Sequence, residues 1–235
     1  MGAGRRGSRL IIAIDGPVGA GKSTAARLLA KRLGYRYIDS GAMYRALAWK
    51  ALQAGLDLGD EKRLRDLADA SSITFEAAAD HLLVRVDGQE VSRQIREREV
   101  EQASSRISTL ASVRNVMVTR QREIAAQGGV VMDGRDIGTV VFPEAGMKFY
   151  LEARLEERAK RRYREMRVAG ENRGLEEVAE EIRVRDDRDM TRTASPLQKA
   201  DDAVIIDTTD LVPTQVVSAM EKHIRNKISA GGRSQ

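Results

Sequence analysis

The segment Gly16-Pro17-Val18-Gly19-Ala20-Gly21-Lys22-Ser23-Thr24 decides the fold of this chain. It follows the apolar run Leu10-Ile11-Ile12-Ala13-Ile14, and the residues after it, Ala25-Ala26-Arg27-Leu28-Leu29-Ala30, have a helical pattern. Strand, glycine-rich loop and helix in this order, with the spacing Gly-x-x-x-x-Gly-Lys-Ser, indicate a phosphate-binding loop. Such a loop binds the phosphates of a nucleoside triphosphate through backbone N–H groups and the N-terminus of the following helix.

This loop also supplies side chains for phosphate chemistry. We expect Lys22 to reach the β- and γ-phosphates of ATP and the Ser23 hydroxyl to bind the Mg²⁺ that bridges them. The alternative, a glycine-rich turn that happens to precede a helix, does not require the lysine and the hydroxyl at these positions. The loop residues expected to bind ATP are Gly16, Pro17, Val18, Gly19, Ala20, Gly21, Lys22, Ser23 and Thr24.

Length and composition limit the class of protein. The chain has 235 residues, of which 42% are hydrophobic and only 4% aromatic, which suits one α/β core of aliphatic side chains with inserted segments. The absence of cysteine excludes a disulfide scaffold, a cysteine-ligated metal site and thiol catalysis, and fits a cytoplasmic location. No apolar run approaches the ~20 residues that a membrane-spanning helix needs, so no membrane partner is expected.

The charge of the chain indicates anionic partners. The net charge is +5, which suits nucleotides, nucleic acid or a membrane surface. Basic residues alternate with acidic ones along the predicted helices, so we expect a solvated, ion-paired surface and no nucleic-acid partner. The two histidines, His81 and His223, lack metal-ligand spacing and are interpreted as surface or packing residues.

Strands and helices alternate after the phosphate-binding loop, which predicts a parallel sheet covered by helices on both faces. Apolar runs predict strands at residues 35–39, 130–132, 148–151 and 204–207. Helices are predicted at residues 42–54, 60–70, 99–107 and 111–127, in two charged stretches between 154 and 192, and from 213 to about 228. Ser40 is the expected N-cap of the helix over 42–54.

A small antiparallel sheet is predicted between the helices. Apolar runs between residues 73 and 91 flank Asp87-Gly88, a dipeptide typical of a tight hairpin turn. Strands formed by such short runs are not stable alone and need to pack against other elements. This sheet is therefore expected as an insertion in the larger α/β fold.

Arginines gather where strands of the parallel sheet end. Residues 39–45 and 133–136 follow predicted strands, and each segment carries one arginine. Arg185, Arg188 and Arg192 recur at helical spacing and are predicted to share a helix face. Because ligands bind at the carboxyl ends of parallel strands, the first two segments are expected to line the site of the phosphate acceptor.

The arginines indicate what kind of acceptor receives the phosphoryl group. A hydroxyl acceptor, as in a kinase of a hydroxyl-bearing metabolite, would need a base to take its proton. A phosphate monoester has a second pKa near ~6 and is already ionised at pH 7. Its approach to the γ-phosphate needs positive charge instead, which arginine supplies in bidentate form. A nucleotide or another phosphorylated acceptor is therefore favoured.

The same segments resemble the bacterial cytidylate kinases. The resemblance is carried by residues 16–24, by Asp39-Ser-Gly-Ala-Met-Tyr-Arg45, by residues 133–143 and by Arg185-Asp-Asp-Arg-Asp189 with Arg192. It extends from about Leu10 to Ile228. It implies the P-loop nucleoside-monophosphate kinase fold and transfer of the γ-phosphoryl group of ATP to CMP or dCMP, with Mg²⁺ and without a covalent intermediate.

The resemblance also implies a division of the chain. The core is expected to comprise residues 10–39, 110–153 and 193–228. The acceptor-binding subdomain with its inserted sheet comprises residues 40–109, and a helical lid comprises residues 154–192. Residues 1–9 and 229–235 are expected to be disordered, and the protein is expected to act as a monomer.

Site residues follow from matching the family's motifs position by position. The positions that match the acceptor-phosphate site are Ser40, Arg45, Arg135 and Arg192. Those that match the ribose site are Arg185 and Asp189, and those that match the cytosine site are Ser105, Arg114 and Asp136. A carboxylate can accept from the N4 amino group of cytosine and an arginine can donate to N3 and O2, so UMP is expected to be a poor acceptor.

The resemblance assigns the remaining roles to the lid and the metal. Arg158, Arg161 and Arg188 are candidates for closing on the transferred phosphoryl group, and Arg158 is expected to bind ATP. The expected catalytic residues are Lys22, Arg135, Arg188 and Arg192. Asp133 is expected to hold Mg²⁺ with Ser23, or else to cap its loop through backbone N–H bonds. Some family members have glycine in place of Ser23, so the resemblance leaves open whether the contact of the Ser23 hydroxyl to Mg²⁺ is needed.

Two alternatives stay open on the sequence alone. The first is the kinase of a hydroxyl-bearing metabolite, which would carry a dedicated base and fewer arginines. The second is a nucleic-acid-binding ATPase, which the basic charge would suit. Against the second stand the lack of a basic run and the low aromatic content, since proteins that bind single strands stack bases on exposed rings.

Overall fold

The structure is a computed structural model that describes residues 10–77, 82–168 and 170–231. The predictions for residues 1–9, for His81 and for residues 232–235 lie outside this part of the chain. His223 is exposed, as expected of a surface residue. None of the described helices is long and apolar enough to cross a membrane.

The strands and helices follow the predicted order. The strands are β1 Ile11–Asp15, β2 Arg36–Asp39, β3 Ile73–Ala77, β4 Leu82–Val86, β5 Gln89–Glu90, β6 Val130–Asp133, β7 Met147–Glu152 and β8 Val204–Asp207. The helices are α1 Lys22–Leu33, α2 Ser40–Gln53, α3 Glu61–Ala70, α4 Arg98–Ile107, α5 Ala111–Ala125, α6 Leu155–Val168, α7 Leu175–Thr191 and α8 Pro213–Gly231. A 3₁₀ turn at Gln94–Arg96 and a π-helical turn at Ile137–Val141 were not predicted.

The larger sheet confirms the parallel α/β fold. Its five strands lie in the order β2-β6-β1-β7-β8, and β1 is central, pairing in parallel with β6 and β7. Ile14 pairs with Asp133 and Asp15 pairs with Tyr150. The register therefore brings the phosphate-binding loop after β1 and the segment after β6 to the same edge of the sheet.

Two helices cover one face of this sheet. Ile14 of β1 and Phe149 of β7 pack in one buried cluster with Leu29 of α1 and Met220 of α8. Ala13 points to the opposite face of β1 and is also completely buried. A strand buried on both faces is typical of a central parallel strand, so β1 provides a rigid base for the loop that follows it.

The chain divides into two compact units. One comprises the described residues up to Tyr37 together with those from Gln127 onward, and the other comprises Ile38–Ala126. Helix α5, expected in the core, groups with the second unit because it packs against α3 and α2. The lid helices α6 and α7 group with the first unit and pack against each other.

The second unit contains the predicted antiparallel sheet. Strands β3, β4 and β5 pair in this order, and β4 pairs antiparallel with both neighbours. Asp87 and Gly88 both have positive φ, 50° and 84°, as a type I′ hairpin turn requires. The Asp87 side chain accepts a hydrogen bond from Ser72 N at 2.8 Å, which stabilises the turn.

Several helix boundaries differ from the predictions by one to three residues, and two of these differences change the interpretation of individual residues. Asp39, not Ser40, is the N-cap of α2, because the Asp39 carboxylate accepts the N–H of Ala42 at 2.8 Å and Ser40 is already helical. Helix α8 continues to Gly231, beyond the expected end at Ile228. Residues 229–231 are therefore part of a helix, and the expected disordered tail does not begin at Ser229.

Candidate active site

The glycines of the phosphate-binding loop are required by its geometry. Gly16 has φ 144°, and a Cβ on it would lie 2.0 Å from the carbonyl oxygen of Leu151 in β7. A Cβ on Gly19, at φ 75°, would lie 2.9 Å from Cβ of Arg158 in α6. Side chains at these two positions would push the loop away from β7 and α6, so glycine allows the loop to lie close to both elements.

Lys22 begins α1 and points back into the loop. Its side chain is buried, and Nζ donates a hydrogen bond to the carbonyl oxygen of Pro17 at 2.6 Å. Burial, followed by the positive charge of Arg135, lowers the pKa of the Lys22 ammonium to about 7, whereas Asp133 acts in the opposite direction. Additional negative charge beside Nζ would favour the ammonium form.

Ser23 and Asp133 meet across the ends of β1 and β6. Ser23 Oγ donates to Asp133 Oδ2 at 2.8 Å, and the hydroxyl of Tyr37 donates to Asp133 Oδ1 at 2.8 Å. Asp133 is buried, and it forms with Ser23 a pair of oxygen groups beside Lys22. Tyr37 was not predicted as a site residue, although it lies on the strand directly before an acceptor segment.

Asp15 performs the capping role that we considered for Asp133. Its carboxylate accepts the backbone N–H groups of Ile137 and Gly138 at 2.8 and 2.7 Å. Burial raises the pKa of Asp15 to about 7, although both hydrogen bonds act to lower it. The sequence analysis missed this residue. The available signal was a carboxylate at the end of an otherwise apolar strand.

An ion-pair cluster follows β6. Arg135 Nε donates to Asp189 Oδ2 at 2.9 Å, and Arg192 lies 3.8 Å from Asp189 and 3.9 Å from Asp136. Burial acts to raise the pKa of Asp189, but Arg135, Arg185 and Arg192 together hold it below its usual value. The structure thus brings five of the predicted acceptor residues into one electrostatic cluster.

Three of the predicted arginines lie on α7 or directly at its end. Arg185 and Arg188 lie on α7 and are half-buried. The helix ends at Thr191, and Arg192 is its C-cap in extended conformation, with its N–H donating to Arg188 O at 3.0 Å. Arg192 therefore lies one residue beyond the end of α7, and its side chain still reaches Asp189, three positions earlier on α7, at 3.8 Å.

Arg158 and Arg161 of the lid contact loops at the edge of the sheet. Arg158 is buried and donates to Val18 O at 3.0 Å and to the Asp186 carboxylate. Arg161 donates to Thr208 Oγ1 at 3.0 Å, and Thr208 donates in turn to Ala20 O at 3.0 Å. Both arginines therefore support the phosphate-binding loop through its backbone.

The second unit holds the remaining predicted residues. Ser40 is buried at the start of α2, and Arg45 forms an ion pair with Asp39 at 2.9 Å. Because Asp39 also caps α2, it fixes both the start of this helix and the guanidinium of Arg45. Asp39 was not among the predicted binding residues.

Arg114 is held in place within the second unit. Its guanidinium donates to Ser108 O at 3.0 Å and lies 5.7 Å from the centre of the Tyr44 ring, within cation–π range. Ser108 Oγ donates to Ser105 O at 3.0 Å. Ser105 and Arg114 are therefore linked through Ser108, and both are buried.

A family profile and curated proteins match most of this chain. The family profile described as cytidylate kinase matches residues 12–226. A curated protein named cytidylate kinase from Caldanaerobacter subterraneus subsp. tengcongensis is 49% identical over 91% of this chain and 94% of its own length. Another of that name, from Geobacter sp. (strain M21), is 44% identical over 97% of this chain and 98% of its own length.

A solved structure shares the fold at low sequence identity. The crystal structure of an uncharacterized protein from Eubacterium ventriosum aligns with a TM-score of 0.50 and 13% identity. The alignment covers 93% of this chain and 99% of the other. At this identity the likeness concerns the architecture alone, and it agrees with the helix-covered parallel sheet described above.

Proposed function

The chain belongs to the cytidylate kinase family, and from this premise we propose that it transfers the γ-phosphoryl group of ATP to CMP or dCMP, giving ADP and CDP or dCDP. The observation that carries the proposal is the position of two ligand-binding elements at one edge of the parallel sheet. The phosphate-binding loop follows β1, and the arginine-rich segment follows its neighbour β6. One element suits a triphosphate donor and the other a phosphorylated acceptor.

The donor binds through the loop at residues 16–24. Its backbone N–H groups and the N-terminus of α1 bind the phosphates, and the Lys22 ammonium neutralises charge on the β- and γ-phosphates. Arg158 donates a hydrogen bond to the carbonyl oxygen of Val18 and so supports the loop. Arg161 does the same through Thr208. A rigid loop binds the phosphates without a conformational cost at each turnover.

The paired oxygens of Ser23 and Asp133 suit a hard divalent cation. A hydroxyl and a carboxylate 2.8 Å apart provide oxygen ligands that can bind Mg²⁺ directly or through water. The described residues contain no group of three or more His, Asp or Glu side chains that could hold a metal by themselves, so phosphate oxygens would complete the coordination. When bound, Mg²⁺ supplies charge neutralisation between the β- and γ-phosphates.

The acceptor phosphate binds to guanidinium groups. We assign Arg135 and Arg192 of the ion-pair cluster to it, with Ser40 and Arg45 of the second unit. Asp189 keeps Arg135 and Arg192 oriented, and its lowered pKa keeps it ionised. Because a phosphate monoester attacks as the dianion, the transfer requires no general base. The positive charge of Arg135, Arg188 and Arg192 offsets the repulsion between the two phosphates and stabilises the in-line transition state.

Cytosine is recognised by hydrogen-bond polarity. We assign Asp136 to the N4 amino group, Arg114 with Ser105 to N3 and O2, and Arg185 with Asp189 to the ribose. Uracil presents an N–H at position 3 and a carbonyl at position 4, so binding it would leave polar groups of the site without partners. We further propose that the protein acts in cytoplasmic pyrimidine nucleotide metabolism, as a monomer and without a nucleic-acid partner.

Product analysis tests the proposed reaction. Incubation with ATP, Mg²⁺ and CMP should yield ADP and CDP in equal amounts, separated by anion-exchange chromatography. Free phosphate should not accumulate, because the lid is expected to exclude water when both substrates are bound. ADP and inorganic phosphate without CDP would contradict the proposal and indicate an ATPase.

A further inference from the structure

Asp15 connects the phosphate-binding loop with the acceptor segment. It is the last residue of β1, directly before Gly16. Its Oδ1 accepts the N–H of Ile137 at 2.8 Å and its Oδ2 accepts the N–H of Gly138 at 2.7 Å. The side chain is buried, so both oxygens have exchanged water for these backbone donors.

The segment after β6 is attached to β1 at two points. At its start, Gly134 N donates to the carbonyl oxygen of Ile14 at 2.9 Å. At its end, the carboxylate of Asp15 binds Ile137 and Gly138. Arg135 and Asp136 lie between these two attachments, so consecutive residues of β1 fix the backbone that presents both side chains.

Two further contacts of this segment involve flexible side chains. Arg135 pairs with Asp189 at 2.9 Å, and Asp136 lies 3.9 Å from Arg192. These contacts orient guanidinium groups but act at the ends of side chains. The bonds to Asp15 act on the backbone itself, immediately after Asp136.

We infer that Asp15 is a positioning residue for acceptor recognition: it holds Arg135 and Asp136 in register with the phosphate-binding loop. The inference rests on the proposed function, because it concerns how CMP is recognised. Both carboxylate oxygens of Asp15 accept backbone N–H groups, so these contacts position the backbone after β6. We infer that its effect on the acceptor is transmitted through residues 135 and 136.

The substitution Asp15→Asn tests this role with little change in volume. The amide retains one acceptor but directs its NH₂ group toward the second backbone N–H, so one hydrogen bond is lost and two donors oppose each other. We expect kcat/KM for CMP to fall by roughly tenfold or more, since small misplacements of positioning groups strongly reduce rates. The CMP to UMP ratio of kcat/KM should fall as well, while the KM for ATP changes by less than about twofold.

A matched control is Asp60→Asn. Asp60 also accepts a backbone N–H, from Arg63 at 3.0 Å, but it caps α3 and belongs to no proposed site. Asparagine is an equally good N-cap. This variant should keep both the rate and the CMP to UMP ratio of the unchanged protein.

A second variant changes Gly138, the backbone partner of Asp15 Oδ2. A Cβ on Gly138 would lie 3.3 Å from Asp15 Oδ2 and 3.2 Å from Cδ of Lys148, so Gly138→Ala should displace the turn slightly without removing the carboxylate. It should lower the CMP to UMP ratio in the same direction as Asp15→Asn, by a smaller factor. It therefore provides the test if Asp15→Asn fails to fold.

Hydrogen exchange supplies a readout independent of activity. In the ligand-free protein, Asp15→Asn should speed exchange in peptides covering residues 134–141 and leave α8 unchanged. Wild-type protein that does not phosphorylate CMP would overturn the proposed function and this inference with it. Wild-type protein that does, with variants that lose only thermal stability and keep the CMP to UMP ratio, would overturn this inference alone.

Discussion

Arg158 of α6 donates a hydrogen bond to the carboxylate of Asp186 in α7, and both groups also bind the backbone of Val18 in the phosphate-binding loop. Val18 N donates to Asp186 Oδ1 at 3.2 Å, and Arg158 donates to Val18 O at 3.0 Å. The side chains of the pair are only 11% and 7% exposed. A buried pair of this kind tolerates the loss of neither partner, because the other charge would stay buried without compensation.

Asp186→Ala should therefore destabilise the protein and weaken ATP binding together. We expect the free energy of unfolding to fall by about 3–5 kcal/mol, measured by urea denaturation, and the affinity for a fluorescent ATP analogue to fall as well. The control is Asp187→Ala, because Asp187 is exposed and its partner Arg183 is exposed too, so little change is expected. Equal stability of the two variants would show that the buried pair does not support the loop.

Gly16 and Gly34 give a matched pair for the geometry of the loop. Both have positive φ, but a Cβ on Gly16 would lie 2.0 Å from Leu151 O, whereas a Cβ on Gly34 would have no atom within 4 Å. Gly34→Ala should lower the free energy of unfolding only by the backbone strain of about 1–2 kcal/mol. Gly16→Ala should lower the free energy of unfolding by more and should abolish ATP binding. The pair is compared by urea denaturation and ATP binding, and similar losses would mean that the close approach to β7 is unimportant.

Proton uptake on ATP binding should report the state of Lys22. Its pKa of about 7 means that the amine is mostly neutral at pH 8 in the free protein. The negative charge of the phosphates beside Nζ raises the pKa of Lys22. At a pH between 7 and this raised pKa, the protein should therefore take up as much as about one proton per site when ATP binds. At pH 8 the ATP phosphates are already ionised, since their last pKa lies near ~6.

Calorimetry measures this uptake directly. Titrations of ATP at pH 8 in two buffers of different ionisation enthalpy should give binding enthalpies that differ by the uptake multiplied by the difference between the buffers. Lys22→Met should lose the buffer dependence even if some ATP binding remains. Identical enthalpies for the unchanged protein in both buffers would contradict a neutral Lys22.

Arg192→Ala should separate turnover from donor binding. Its guanidinium lies 3.9 Å from Asp136 and 3.8 Å from Asp189, both of which we assign to the acceptor. We expect kcat to fall by about 10²-fold or more, typical for loss of one charge-stabilising donor, while ATP affinity changes little. Arg183→Ala, an exposed arginine of α7, serves as the control. Equal losses of ATP binding and turnover would count against an acceptor role for Arg192.

The sequence predicts those parts of the molecule whose signals are local. The spacing of Gly16, Gly21, Lys22 and Ser23 identifies the loop, and Asp87-Gly88 identifies the hairpin, because each pattern requires particular backbone angles or ligands at fixed offsets. The family motifs likewise indicate the residues of the ion-pair cluster, and the structure brings Arg135, Asp136, Asp189 and Arg192 together.

The roles missed by the sequence analysis depend on partners far away in the chain. Asp15 bonds to backbone groups 122 and 123 positions later, and backbone N–H groups carry no residue-specific signal. Arg192 was predicted as an acceptor residue, but its position one residue beyond the end of α7 was not, because the spacing alone does not set where the helix ends. Arg158 matches the pattern of a phosphate-binding arginine, yet its contact with Asp186 becomes visible only when α6 and α7 pack together.

The initial rate of ADP release with different acceptors tests the central claim most directly. Equal concentrations of CMP, dCMP, UMP and AMP are compared in parallel with a sample that contains ATP and Mg²⁺ but no acceptor. The account predicts rates with CMP and dCMP well above the rate with UMP, and almost no release with AMP or without acceptor. A low rate of ADP release that does not depend on the acceptor would contradict the account and leave an ATPase with a different partner.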